Sequence, residues 1–143
     1  MDYRKICADE LRRLNQMRTA SKIIKDRILE LEGKMKSVGG GSGGTAPNRG
    51  GGNKTEEKWL NLIVSVGEEK KRLREVLREI KRIEVGLDAI AEEERKILIA
   101  AYVEGEDMRD IAEREHISRA TAYRLRDEAI ISFARATYGT VVT

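Results

Sequence analysis

Within the short stretch Ser118-Arg119-Ala120-Thr121-Ala122-Tyr123-Arg124-Leu125-Arg126 lie the residues of this chain best suited to directed chemistry. A guanidinium is a planar fork of donors that matches two acceptors side by side, as on the edge of a guanine or on a phosphate. Hydroxyls of Ser118 and Thr121 can bond phosphate oxygens at a helix N-terminus, and a methyl as small as that of Ala120 can meet the methyl of thymine. Ala122, Leu125, Ala129 and Phe133 recur at helical spacing and form a buried face. Arg119, Ala120, Tyr123, Arg124 and Asp127 are left on the outside. Surface arginines on a helix are most often simply solvated. These follow a capped corner, at the steps where a helix lying in a major groove makes its base contacts. Arg119 and Arg124 are therefore expected to read base edges, beside Ala120 and Tyr123. Ser118 and Thr121 are expected to hold phosphate, and Arg126 to turn toward the sugar-phosphate backbone.

Such a helix must be held at a fixed angle, and the preceding residues supply the means. Asp107 stands where an N-cap belongs, with Asp110 three residues on, and both acids suit the positive end of a helix dipole. Ile111 and Ala112 face inward, the small Ala letting a second helix cross closely. Glu115, His116 and Ile117 make a corner, and Ser118 caps the next helix. Two short helices with a tight corner are the layout of a helix-turn-helix. Under them, Ala91-Glu92-Glu93-Glu94 opens a supporting helix whose Ile97, Leu98, Ala101 and Tyr102 are expected to pack inward, and Gly105 ends it.

From Leu87 onward the chain resembles the fourth region of bacterial sigma factors, over roughly its last third. The resemblance rests on Glu94-Arg95 opening a helix that ends in Tyr102, the Glu104-Gly105 turn, Asp110-Ile111-Ala112, and Ile117-Ser118 before the basic helix. The corner position usually held by glycine is His116, a residue that tolerates left-handed backbone better than most. A sigma-like module behind a long amphipathic segment also resembles the ArpU-type regulators of phage late genes, in order and size. These resemblances imply a phage- or prophage-encoded, sequence-specific transcriptional regulator. It would bind double-stranded DNA at promoters, with RNA polymerase as a partner, in the nucleoid region of a bacterial cytoplasm.

Composition narrows the alternatives. Of 143 residues, 37% are charged and 4% aromatic, which suits long solvent-washed helices better than an enzyme with a deep pocket. Residues 85–143 carry 8 Lys+Arg against 12 Asp+Glu, a formal −4, while residues 1–84 carry 20 against 13, or +7. The reading domain is thus acidic as a whole, and its affinity for a polyanion is expected to need a second copy or a second protein. One histidine and one remote cysteine make no metal site, and the carboxylates lie on charge-alternating helix faces without a paired nucleophile. No enzyme activity, cofactor or metal is expected. Cys7 has no internal disulfide partner, nothing resembles a signal peptide, and no apolar run approaches membrane-spanning length, so a reducing cytosol is expected.

The fold expected is all-α: a long antiparallel helical hairpin, coiled-coil-like, followed by the helix-turn-helix domain. Residues 1–37 form its first helix, with Tyr3, Cys7, Leu14, Met17, Ile24, Ile28, Leu31 and Met35 in alternating steps of three and four, and Glu10 and Ser21 on the same seam. Residues 38–54 hold most of the glycines and the only proline, and read as a flexible tether. Gly39, Gly41 and Gly44 match a dinucleotide-binding pattern by letter, but no strand precedes them. Residues 55–86 form the second helix, capped by Thr55, with Trp59, Ile63, Val66, Leu73, Leu77, Ile80 and Leu87 continuing the stripe, interrupted by Lys70 and Glu84. Gly86 is expected to break or bend the chain before the 87–143 domain, and the tail from Tyr138 to fray. A two-helix seam buries little, so the hairpin is expected to recruit a second copy into a homodimer. Two other readings share these features: a DNA-recognition subunit of a phage packaging machine, resembling a small terminase, and a coiled-coil adaptor that contacts protein and not DNA.

Overall fold

Apolar residues spaced by three and four along a charged chain favour long helices over any other element, and the computed structural model, which describes residues 2–40 and 52–139, is helical over most of them, with short turns between the helices. Helix α1 runs Tyr3–Met35 and continues through a wider-wound turn, Lys36–Gly40; α2 runs Gly52–Asp88. Three shorter helices follow: α3, Glu92–Leu98, extended by a widened turn over Ile99–Val103; α4, Met108–Arg114; and α5, Arg119–Tyr138. None of these helices is long and apolar enough to cross a membrane. The tether expected over 38–54 falls mostly on residues 41–51, outside the described residues. Helix reaches into both its flanks, and Thr55 lies inside the first turn of α2 and does not cap it.

The chain forms two compact units, Met1–Arg18 with Arg78–Thr143, and Thr19–Leu77. In the second unit the two helical stretches lie side by side. Arg27 pairs with Glu69 at 3.3 Å and Lys70 with Glu32 at 3.3 Å, and Ser21, Ile24, Ile28 and Val66 are buried. Trp59, Leu60, Ile63 and Val64 remain exposed on α2. The first unit takes in more than the 87–143 segment. Cys7, Leu11 and Leu14 of α1 and Ile80, Ile83 and Leu87 of α2 are buried in it, with Leu98, Ile111 and Phe133 from the shorter helices. Each such side chain contributes about 1.5–3 kcal/mol relative to exposure.

Three expectations are corrected here. The inward stripe of α2 includes Leu62, Val66, Glu69, Leu73, Val76, Ile80, Ile83 and Leu87, all buried or half-buried, while Ile63, Lys70, Leu77 and Glu84 are exposed. The two series share every seventh residue and differ by one position between. Ile83, fully buried, sets the phase. Gly86 neither breaks nor bends α2, which continues to Asp88. A Cβ there would lie 2.4 Å from Thr137 Cγ2 and 3.0 Å from Phe133 Cε1, so its missing side chain is what lets α5 approach. Tyr138, expected in a frayed tail, closes α5 and donates its hydroxyl to Glu10, beside Tyr3 at 5.1 Å between ring centroids; residues 140–143 lie outside the described ones.

Helix α3 also differs in detail. Ala100 and Val103 are buried, and Ala101 and Tyr102 only partly. The widened turn, in which Glu104 N–H reaches back five residues to Ile99 O at 2.8 Å, displaces the inward face from the positions a regular helix would give.

Two measurements test this packing. Gly86→Ala forces a methyl onto Thr137 and Phe133, and should cost about 1–3 kcal/mol of stability in denaturant unfolding. Burial pushes the Cys7 thiol up from 9.0 to about 11, against the lowering by its Thr137 contact. Burial and the bond to Glu10 push Tyr138 from 10.0 to about 12. The folded chain thus holds both protons after the unfolded chain has released them. Stability should be fully present below pH 9 and fall as pH rises toward 12, more shallowly in a Cys7→Ala chain. An unfolding midpoint unchanged between pH 8 and 11 would contradict this.

Candidate functional site

The corner between α4 and α5 is built from local hydrogen bonds. Asp107, in extended backbone, accepts from Arg109 N–H at 2.9 Å and so caps α4. At the other end of α4, His116 N–H bonds Glu113 O at 3.2 Å and Ile117 N–H bonds Ala112 O at 3.0 Å. That is the Schellman pairing, and it places His116 at φ 57, in the left-handed region the sequence reading assigned to it. Ser118 then turns the chain back into a helix. Its Oγ accepts from Thr121 N–H at 3.1 Å and donates to Thr121 Oγ1 at 2.8 Å. Two caps and one left-handed residue thus fix the direction in which α5 leaves the corner.

On α5, Ala122, Ala129, Phe133 and Ala134 are completely buried, and α5 packs on both α3 and α4. Ser132 ties it to α3 by donating to Glu94 Oε2 at 2.5 Å, and the same carboxylate's Oε1 accepts from Ala91 N–H at 3.2 Å at the start of α3. The opposite side carries the expected set. Ser118, Arg119, Ala120, Tyr123 and Arg124 are exposed, and Thr121 is half-buried against its cap partner. Arg124 forms a one-turn ion pair with Glu128 at 3.3 Å, both side chains more than half exposed, a pairing worth little in water and easily exchanged for another anion.

Arg126 stands apart from the others. Its side chain is three-quarters covered, its guanidinium lies 4.8 Å from the Tyr123 ring centroid and 5.6 Å from that of Tyr102, and Asp127 is 3.4 Å away. Arg12 of α1 stacks on Tyr102 as well, at 5.1 Å. The sequence reading connected neither Arg12 nor Tyr102 with this face, and no local pattern joins residues so far apart in the chain.

An open groove of about 730 Å³ lies between α3, α4 and α5. It is lined by Ile97, Ile111, Ile117 and Leu125 together with Lys96, Arg114 and four glutamates, which is why Leu125 and Ile117 are only half-buried. Arg114 holds Glu106 by two bonds, at 2.7 and 3.0 Å, which keep the Glu106 carboxyl below its usual range and Arg114 above its own. Among the described residues no group of three or more His, Cys, Asp or Glu side chains is placed to hold a metal ion.

The corner generates a stability prediction. A residue with a Cβ in the left-handed region carries a cost that glycine avoids, so His116→Gly should stabilise the chain by about 0.5–1 kcal/mol. His116→Val, β-branched at the same φ, should destabilise it by about 1–2 kcal/mol. Thermal unfolding of the two variants reads both signs. A scan against models of protein families, a search of curated proteins and a search of solved structures find no match for this chain.

Proposed function

We propose that the chain is a sequence-specific double-stranded-DNA-binding protein that controls transcription, with α4 and α5 acting as a helix-turn-helix and α5 as its recognition helix. The observation that carries this reading is the outward set on the first two turns of α5. Arg119, Ala120, Tyr123 and Arg124 are exposed together, immediately after a corner fixed by the Ser118 cap and the left-handed His116. A recognition helix makes its base contacts from these turns, and the bidentate donors of Arg119 and Arg124 suit guanine edges. Ser118 and Thr121 lie at the helix N-terminus, where phosphate is favoured.

The resemblance to sigma factor region four and to ArpU-type regulators extends the proposal to a phage or prophage promoter, with RNA polymerase as a partner. Dimerisation is the second part of the reading. Trp59, Leu60, Ile63 and Val64 leave the first turns of α2 apolar beyond what its own seam uses, and a second copy covering them would double the reading heads and the charge presented to DNA.

Selection of bound fragments from random duplex by the full chain should yield a defined site. Arg119→Ala and Arg124→Ala should each then cost about 1–3 kcal/mol in binding that site and flatten the preference at one base step. Unchanged affinity and preference in both variants would remove the readout assignment. No duplex binding at low salt would favour the adaptor reading, and a large ring in a mass measurement would favour a packaging subunit.

A further inference from the structure

We propose that α1 contributes to the same DNA-binding surface, with Arg12 as a phosphate-contacting residue held in place by Tyr102. This rests on the DNA-binding reading above and adds an element to it. The segment 85–143 has a formal charge of −4, a poor surface for a polyanion. The compact unit that contains it also includes residues 1–18, with five basic and three acidic side chains, and residues 78–84, with three and two. Its formal charge is therefore −1, and the difference comes from helices outside the reading domain proper.

Side-chain stacking connects one of these charges to the recognition helix. The Tyr123 ring, exposed on α5, lies against the Arg126 guanidinium; Arg126 lies against the Tyr102 ring; and Arg12 stacks on that ring at 5.1 Å. One turn further along α1, Asn15 donates to Val103 O at 3.4 Å and holds α1 beside the end of the widened turn. A guanidinium stacked on a ring keeps its in-plane donors directed outward, and it loses less side-chain freedom on binding than an unsupported one. The Arg12 side chain is 58% exposed. Its ion partner Asp9, at 3.0 Å, engages Nη1 and is itself 44% exposed, a pairing weak enough for a phosphate to displace. Neither Arg12 nor Tyr102 lies on the face of α5 that meets base edges, so the contact strengthens binding without adding sequence information.

The test is titration of the full-length chain with a fluorescent random-sequence duplex over a series of salt concentrations. Arg12→Gln should reduce the slope of log affinity against log salt by about 0.9. It should weaken binding about three- to tenfold near 0.1 M salt, equally for a selected site and for random duplex. Arg12→Lys, which keeps the charge, should retain the slope, and Asp9→Asn, which removes the competing carboxylate, should strengthen binding. A slope in Arg12→Gln equal to that of the unaltered chain overturns the proposal. So does loss of slope in an Arg12→Lys chain that still melts cooperatively, since Arg12 would then act only through packing. If the unaltered chain binds no duplex at low salt, the DNA-binding reading itself fails; if it binds and only these variants behave otherwise, that reading stands and the role of α1 falls.

Discussion

A buried carboxylate, that of Glu10, ties together three helices. It sits on the apolar seam of α1, 4% exposed, among Cys7, Leu11 and Leu14. Leaving such a charge without partners would cost several kcal/mol. Tyr138 at the end of α5 donates to one of its oxygens, and Arg82 of α2 approaches the other at 2.8 Å. Arg82 bonds Glu79 at 2.6 Å through the same nitrogen and lies 5.0 Å from the Tyr138 ring centroid. Burial alone would lower the pKa of Arg82, yet the bonds to Glu79 and Glu10 hold it above its ordinary value, so the guanidinium stays charged. Glu10 Oε2 and Arg82 Nη1 are buried without a hydrogen bond of good geometry. A knot satisfied so incompletely adds little net stability over an apolar substitute, but it sets a geometric condition on how the three helices meet. Glu10 of α1, Arg82 of α2 and Tyr138 of α5 meet in one alignment of the three helices.

That alignment determines what the rest of the unit can do. It sets Gly86 against Phe133 and Thr137, where no side chain would fit, and so brings α5 close to α2. It also places α1 where Asn15 and Arg12 reach Val103 and Tyr102. Helix α5 is consequently supported at both ends: at its start by the capped corner and at its finish by the charged knot. The helix between can hold a fixed direction although several of its inward residues are only alanines.

How much of this was legible in the sequence depended on how local each cause is. The seam of α1 was readable for most of its length, Glu10 and Ser21 included, because one heptad phase carries it; Ala8 and Leu11, also buried, lie off that phase and were missed. On α2 two phases compete. Leu62, Val76 and Ile83 argue for one, Ile63 and Leu77 for the other, and both share Val66, Leu73, Ile80 and Leu87. What separates them is burial against α1 and α5, which no window on α2 contains. Gly86 was misread for the same reason: a glycine near the end of a helix has the same local signature whether it stops the helix or admits a neighbour. The caps at Asp107 and Ser118 and the left-handed His116, by contrast, depend on residues within one turn of each other, and the corner was legible in full.

The α5 face shows both kinds of cause in adjacent residues. Arg119, Tyr123 and Arg124 point outward because Ala122, Ala129 and Phe133 point inward, a consequence of helical period alone. Arg126 is placed by period at the edge of that face, and there period cannot decide between solvent and neighbour. Tyr102 decides it, and Tyr102 is available only because the widened turn of α3 shifts the inward positions to Ala100 and Val103 and leaves its ring partly exposed. A guanidinium lying over two tyrosine rings is held in place by cation–π attraction to both. Arg126 is therefore fixed at the edge of the α5 face, while Arg119 and Arg124 stay exposed on it, Arg124 in its one-turn pair with Glu128.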